Sequence, residues 1–138
     1  DLAVTVDTAR FAVSGINLGL FCSTPSVPLS RGVSRKRAFE MLTTGDFIDA
    51  HTAHEYGLVN HVVPADRLDG TVDALAKNIA SKPADALRAG KALFYRQLNM
   101  PLAEAYQAAG QVMADNMLFP DTQEGIDAFI EKRDPNWT

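Results

Sequence analysis

Three groups of side chains in this sequence are of types that do chemistry. His51 and His54 stand three residues apart with Glu55 beside them, a spacing at which two imidazoles share one face of a helix and can share a metal. A closed metal site needs three or four ligands, and no cysteine or further histidine lies nearby, so the pair reads as polar side chains on a surface helix and no metal is expected. His61 reads as a strand-end residue. Arg31, Arg35, Lys36 and Arg37 crowd the start of a predicted helix. Cations and free backbone N–H groups there attract a phosphate, although the same residues also make an ordinary solvated basic face. Cys22-Ser23-Thr24 has the look of a nucleophile, but neither a histidine nor a carboxylate is close enough in sequence to serve as its base. A small buried residue is the plainer reading of Cys22. No phosphate-cradling, dinucleotide-binding or nucleophile-elbow glycine motif is present.

The elements that must position these residues change character along the chain. Leu2 to Val6 is a short apolar, β-branched run; Asp7-Thr8 makes a turn, and Phe11-Ala12-Val13 reads as a second strand ending at Ser14-Gly15. Two such strands cannot satisfy their outer edges alone, so partner strands from outside this segment are expected. Gly19 to Gly32, with Pro25 and Pro28, reads as irregular. From Ser34 the pattern is helical: Ser34 suits an N-cap and Gly45 a C-cap, and Asp49 can cap a short helix that stops at Gly57. Leu58-Val59 and Val62-Val63 are too short for more than an isolated strand. Val72, Leu75, Ala76 and Ile79 define a third helix, and Pro83 opens a fourth that runs to about Leu98. Leu102, Ala105, Tyr106, Ala109, Val112, Met113 and Met117 give the fifth the best periodicity in the chain. A last helix starts near Asp121, places Ile126, Phe129 and Ile130 on one face and stops at Pro135.

Composition narrows the class. The chain has 138 residues, 46% hydrophobic and 22% charged, with a formal net charge of −4 and one cysteine. That length is one domain or less, and the balance is globular rather than disordered. One cysteine cannot staple a secreted scaffold. The mild acidity without a basic stripe argues against nucleic acid. No apolar run reaches the ~18–20 residues that span a bilayer, so no membrane partner is expected. The sequence opens at Asp1 on what reads as a buried strand, as a fragment would. Spacing and composition alone stop at an α/β fragment with a helical tail.

Several segments together resemble the C-terminal half of the crotonase family, the enoyl-CoA hydratases and isomerases. Asp1-Leu2-Ala3-Val4 followed by Ala9-Arg10-Phe11-Ala12 resembles the family's strand pair, and Leu18-Gly19-Leu20 its Leu-Gly stretch. Met41-Leu42-Thr43-Thr44-Gly45, Ile48-Asp49-Ala50, Ala53 and Gly57-Leu58-Val59 are similar to its central run. Gln123-Glu124-Gly125-Ile126, Ala128-Phe129-Ile130-Glu131-Lys132-Arg133 and Pro135-Asn136-Trp137 resemble its C-terminal signature. Gly19-Leu20-Phe21-Cys22-Ser23-Thr24-Pro25 resembles the branch of enoyl-CoA hydratase domain-containing protein 3.

The resemblance implies an α/β fold: residues 1–64 as the C-terminal part of a ββα spiral core, and residues 65–138 as a helical region that trimerises. It implies an acyl-CoA or enoyl-CoA thioester whose carbonyl is polarised by two backbone N–H groups, an enolate-like intermediate, and two glutamates that activate water. No cofactor is expected beyond coenzyme A as part of the substrate. A homotrimer or dimer of trimers is expected, cytoplasmic in a bacterium or in the mitochondrial matrix of a eukaryote, and not secreted. Both backbone donors and the first glutamate are expected before Asp1. The second glutamate falls at Gly15, which offers no carboxylate, and none stands between Val13 and Arg31 to replace it. No catalytic residue is therefore assigned, and a catalytically weak acyl-CoA-binding or modulating homologue stands as the alternative. Gly15, Leu18, Phe21, Cys22 and Pro25 are the expected substrate-binding residues. For CoA the resemblance implies Lys132, on the 3′-phosphate side, with Met113 at a position where the family has an aromatic near adenine, and Phe129.

Overall fold

Four short strands and seven α-helices make up residues 1–138, which a computed structural model describes throughout. β1 (Val4–Val6) pairs in parallel with β4 (His61–Val63), matching Val4 to His61, Thr5 to Val62 and Val6 to Val63. The β-branched residues on both strands suit a pleated, half-buried ladder. Beyond its ends, Ala3 N–H donates to Asn60 Oδ1 (2.8 Å) and Asp7 N–H to the Val63 carbonyl (2.9 Å). β2 (Arg10–Phe11) pairs antiparallel with β3 (Ile48–Asp49). Each N-terminal strand thus finds one partner inside the chain, and each pairing has only two strands, so the outer edges for which outside partners are expected carry no strand of this chain. Contacts more than 35 residues apart in sequence, which strand periodicity cannot reveal, supply the pairing.

The stretch from Gly19 to Gly32 is not wholly irregular. A 3₁₀ turn at Ser14–Leu18 leads to α1 (Ser23–Gly32), which carries Pro25 in its first turn and Pro28 in its interior. Proline is harmless in a first turn, but Pro28 removes one interior hydrogen bond. Burial of Leu29 and Val33 offsets that loss, because both join Ala38, Met41 and Leu42 in one apolar cluster. α2 (Arg35–Thr44) supplies the last three and ends at Gly45 in the left-handed conformation (φ 68°). Ser34 stands at its N-cap without a side-chain bond. Asp49 does cap α3 (Ala50–Glu55), accepting the Thr52 N–H at 2.7 Å. That bond to the charged form holds its carboxyl below the ordinary carboxylate range.

The chain divides into two units, Asp1–Leu75 and Ala76–Thr138, with the division inside α4 (Leu68–Ala80). In the second, α5 (Ala84–Gln97) and α6 (Leu102–Asn116) pack as a helical hairpin, and α7 (Pro120–Glu131) follows. The α6 stripe read from sequence is covered only in part: Ala105 is buried, whereas Leu102, Tyr106, Met113 and Met117 are exposed. On α7 the expected Ile126, Phe129 and Ile130 are exposed, and Ala128 and Asp121 are the buried residues. The helix also stops before Pro135, because Lys132 takes the left-handed conformation (φ 56°) and turns the chain back on itself.

Candidate functional site

In the first unit Gly15, Leu18, Phe21 and Cys22 lie on the loop between β2 and α1, and Pro25 lies in the first turn of α1. Gly19 turns the loop with a left-handed backbone (φ 78°), and Leu20 N–H donates to the Gly15 carbonyl at 3.0 Å. Gly15 N–H in turn donates to Cys22 Sγ at 3.3 Å. The loop is therefore folded tightly onto Gly15. A Cβ at that position would lie 2.6 Å from Cys22 Sγ and 2.8 Å from the Leu20 carbonyl oxygen, closer than real Cβ atoms approach. Gly15 is thus a position without room for a side chain, as well as one that lacks a carboxylate. Cys22 is half-buried against the core cluster, but Leu18 and Phe21 project outward at 82% and 46% exposure.

Beside this loop lies an apolar cavity of about 440 Å³, formed in part by Phe11, Val13, Pro25, Leu29, Met41 and Leu58. Its volume and lining suit a hydrocarbon chain. Arg10 is the one charged residue on its wall, and its guanidinium stacks over the Phe47 ring at 4.5 Å. Of the expected substrate-binding residues the structure brings Pro25 to this cavity and Gly15 to Cys22, while Leu18 and Phe21 form no part of the cavity wall.

In the second unit Lys132 stands at the C-terminus of α7, exposed. It is the one non-glycine residue of the chain with a positive φ, a conformation that costs a lysine about 1 kcal/mol. Phe129, one turn earlier, is 84% exposed and borders a second cavity of about 410 Å³ together with Phe119, Ile126 and Trp137. Met113 is exposed on α6 and outside that wall. Around Lys132 is a charge cluster that sequence reading passed over. Arg133 donates to both oxygens of Glu124 (2.6 and 2.9 Å) and, through Nε, to Glu131 (2.6 Å). Asn136 N–H also donates to Glu124 (2.7 Å), and the Arg133 bonds with it pull the Glu124 carboxyl down to about 2. The same bonds raise Arg133 further above its ordinary value.

The signal for that cluster was weak. Glu124 and Arg133 are nine residues apart, which on a continuous helix puts them on opposite faces; only the reversal at Lys132 brings them together. The remaining sequence candidates do not form a site. His51 and His54 belong to no group of three or more His, Cys, Asp or Glu side chains that could hold a metal ion. In the basic cluster, Arg37 donates to the Glu55 carbonyl (2.7 Å) and stacks on Tyr56, and Arg31 donates to the Val27 carbonyl (3.1 Å). Those two guanidiniums are spent on holding the fold. No helix is long and apolar enough to cross a membrane.

Known proteins carry the same pattern. The family model for enoyl-CoA hydratase/isomerase matches residues 1–138. Enoyl-CoA hydratase domain-containing protein 3, mitochondrial, of Rattus norvegicus is 49% identical over 138 residues, which are 100% of this chain and 46% of that protein. The crystal structure of an enoyl-CoA hydratase from Mycobacterium smegmatis superposes with a TM-score of 0.96 at 55% identity, covering 99% of this chain and 53% of the other. The human enoyl-CoA hydratase domain-containing protein 3 structure gives 0.94 at 47% identity, over 99% and 54%. The chain thus spans about half the length of the relatives it matches.

Proposed function

The chain belongs to the enoyl-CoA hydratase/isomerase family, and from that premise we propose that it acts on acyl-CoA thioesters through an oxyanion-stabilised enolate without a carboxylate from position 15. The observation that carries this reading is the closed loop at Gly15, where Cys22 Sγ and the Leu20 carbonyl leave no space for a side chain. Hydration that uses two glutamates needs one there. Enolate formation needs only a polarised thioester carbonyl and a base elsewhere, so isomerisation or proton exchange at Cα is compatible with Gly15. The apolar cavity beside the loop supports the acyl assignment, and its wall from Phe11 to Leu58 would exclude water from the chain. Lys132 supports the carrier assignment: an exposed ammonium serves as a point charge for a phosphate.

Assembly as a homotrimer or dimer of trimers fits the exposed apolar side chains Leu102, Tyr106, Met113, Leu118, Phe129 and Ile130, which a second copy would cover. The site of action follows the source: the cytoplasm in a bacterium, the mitochondrial matrix in a eukaryote. Loss of enoyl absorbance on incubating the intact protein with short and long 2-enoyl-CoA esters tests for hydration. Slow or absent hydration with measurable Cα proton exchange is the expected outcome. Rapid hydration would overturn the role given to Gly15. The same closed loop also favours a second reading, an acyl-CoA-binding or modulating protein of little activity. It predicts ester binding with neither reaction.

A further inference from the structure

Lys132 is the one side chain proposed to meet the carrier phosphate, and the surroundings that keep it available are unusual. Two carboxylates lie within reach of the turn, Glu131 next to it in sequence and Glu124 across the fold-back. Either would attract the ammonium and compete with a phosphate for it. Arg133 engages both instead: its Nη1 and Nη2 take the two oxygens of Glu124, and its Nε takes Glu131. The planar guanidinium fork makes this possible, since one lysine cannot hold two carboxylates in that geometry. Lys132 itself makes no side-chain hydrogen bond or ion pair.

The same contacts fix its backbone. After α7 ends, Lys132 N–H and Arg133 N–H both turn back to the Ala128 carbonyl, the latter at 3.1 Å. The following tail is then fastened along the helix. Asn136 N–H donates to Glu124, Trp137 packs on Gly125, and Thr138 donates to the buried Asp121 through both N–H and Oγ1 (2.9 Å each). A left-handed lysine persists only where its surroundings over-determine it, and residues in that state gather at ligand sites.

We infer that Arg133 is a positioning residue for CoA phosphate recognition: by holding Glu124 and Glu131 it fixes Lys132 in its left-handed turn and leaves the ammonium free for the anion. This rests on the proposed reading of Lys132, so the test separates the two. Equilibrium titration of the intact protein with one saturated acyl-CoA and with the matching 3′-dephospho-CoA ester gives an affinity ratio that reports the 3′-phosphate contact alone. The wild type is expected to prefer the phosphorylated ester roughly tenfold, as a charge-assisted contact allows. Lys132→Ala is expected to bring the ratio to within about twofold of one. Arg133→Gln is expected to do the same while affinity for the dephospho ester stays unchanged, which a merely structural defect would not produce. Arg133→Lys, which keeps the charge but cannot hold both carboxylates in that geometry, is expected to lower the ratio by less, and it serves where Arg133→Gln does not fold. If Lys132→Ala collapses the ratio and both other variants keep it at the wild-type value, the inference about Arg133 is wrong and the reading of Lys132 stands. A wild-type ratio of one, or one that Lys132→Ala does not change, removes the reading of Lys132 itself and the inference with it.

Discussion

The loop at Gly15 and the turn at Lys132 are built by opposite means. From Ser14 to Cys22 no side chain is charged, and the loop closes through backbone carbonyls, a left-handed glycine and one thiol. From Glu124 to Asp134 charged side chains dominate, and the turn closes through a guanidinium and two carboxylates. On the proposed reading, the first arrangement would take polar chemistry away from the acyl group, and the second would keep a cation available for the carrier phosphate. The proposal ties these two constructions to one molecule that binds the carrier and treats the acyl group without a carboxylate from position 15.

The contrast breaks most sharply at Gly15. Gly15→Glu is expected to cost about 2–3 kcal/mol in urea denaturation, because the new Cβ must displace Cys22 and the Leu20 carbonyl together. Adding Cys22→Gly should recover only part of that, since the backbone contact remains. A Gly15→Glu protein as stable as the wild type would mean the loop opens freely, and the steric reading of this end would fall. At the other end, Lys132→Gly relieves the left-handed strain and is expected to raise stability by roughly 0.5 kcal/mol while removing the phosphate preference. A variant that gains stability and loses recognition would mark Lys132 as kept for binding; a destabilised one would make it part of the fold. The smallest effect concerns pH. Glu124 is held at about 2 against an ordinary value of 4.5, so its contribution to stability is complete above 4.5 and disappears as pH falls toward 2. The stability difference between wild type and Glu124→Gln should narrow across that window and stay flat from pH 5 to 7.

Local signals in the sequence predicted local structure well. Gly45 ends α2 and Asp49 caps α3 where their side-chain types suggested, because caps depend on neighbours within a turn. The glycine at position 15 was legible too, although the closure of the loop over it depends on the fold around Cys22 and Leu20. α1 was hidden by Pro25 and Pro28, whose helix-breaking character is overridden by the burial of Leu29 against residues of another helix. β1 and β4 were each too short to announce their pairing across the intervening helices. The Arg133 cluster was invisible for a similar reason: helical periodicity places Glu124 and Arg133 apart, and the reversal at Lys132 has no glycine to signal it. Signals that depend on contacts distant in sequence were the ones that sequence reading missed.

If the Lys132 turn receives the carrier phosphate and the Gly15 loop lacks only the carboxylate, the intact protein binds an acyl-CoA ester through Lys132. Equilibrium titration of the intact protein with a saturated acyl-CoA ester, wild type against Lys132→Ala, tests it most directly. Saturable binding that Lys132→Ala weakens about tenfold is the predicted result. Absence of saturable binding, or equal affinity for the two proteins, would contradict it.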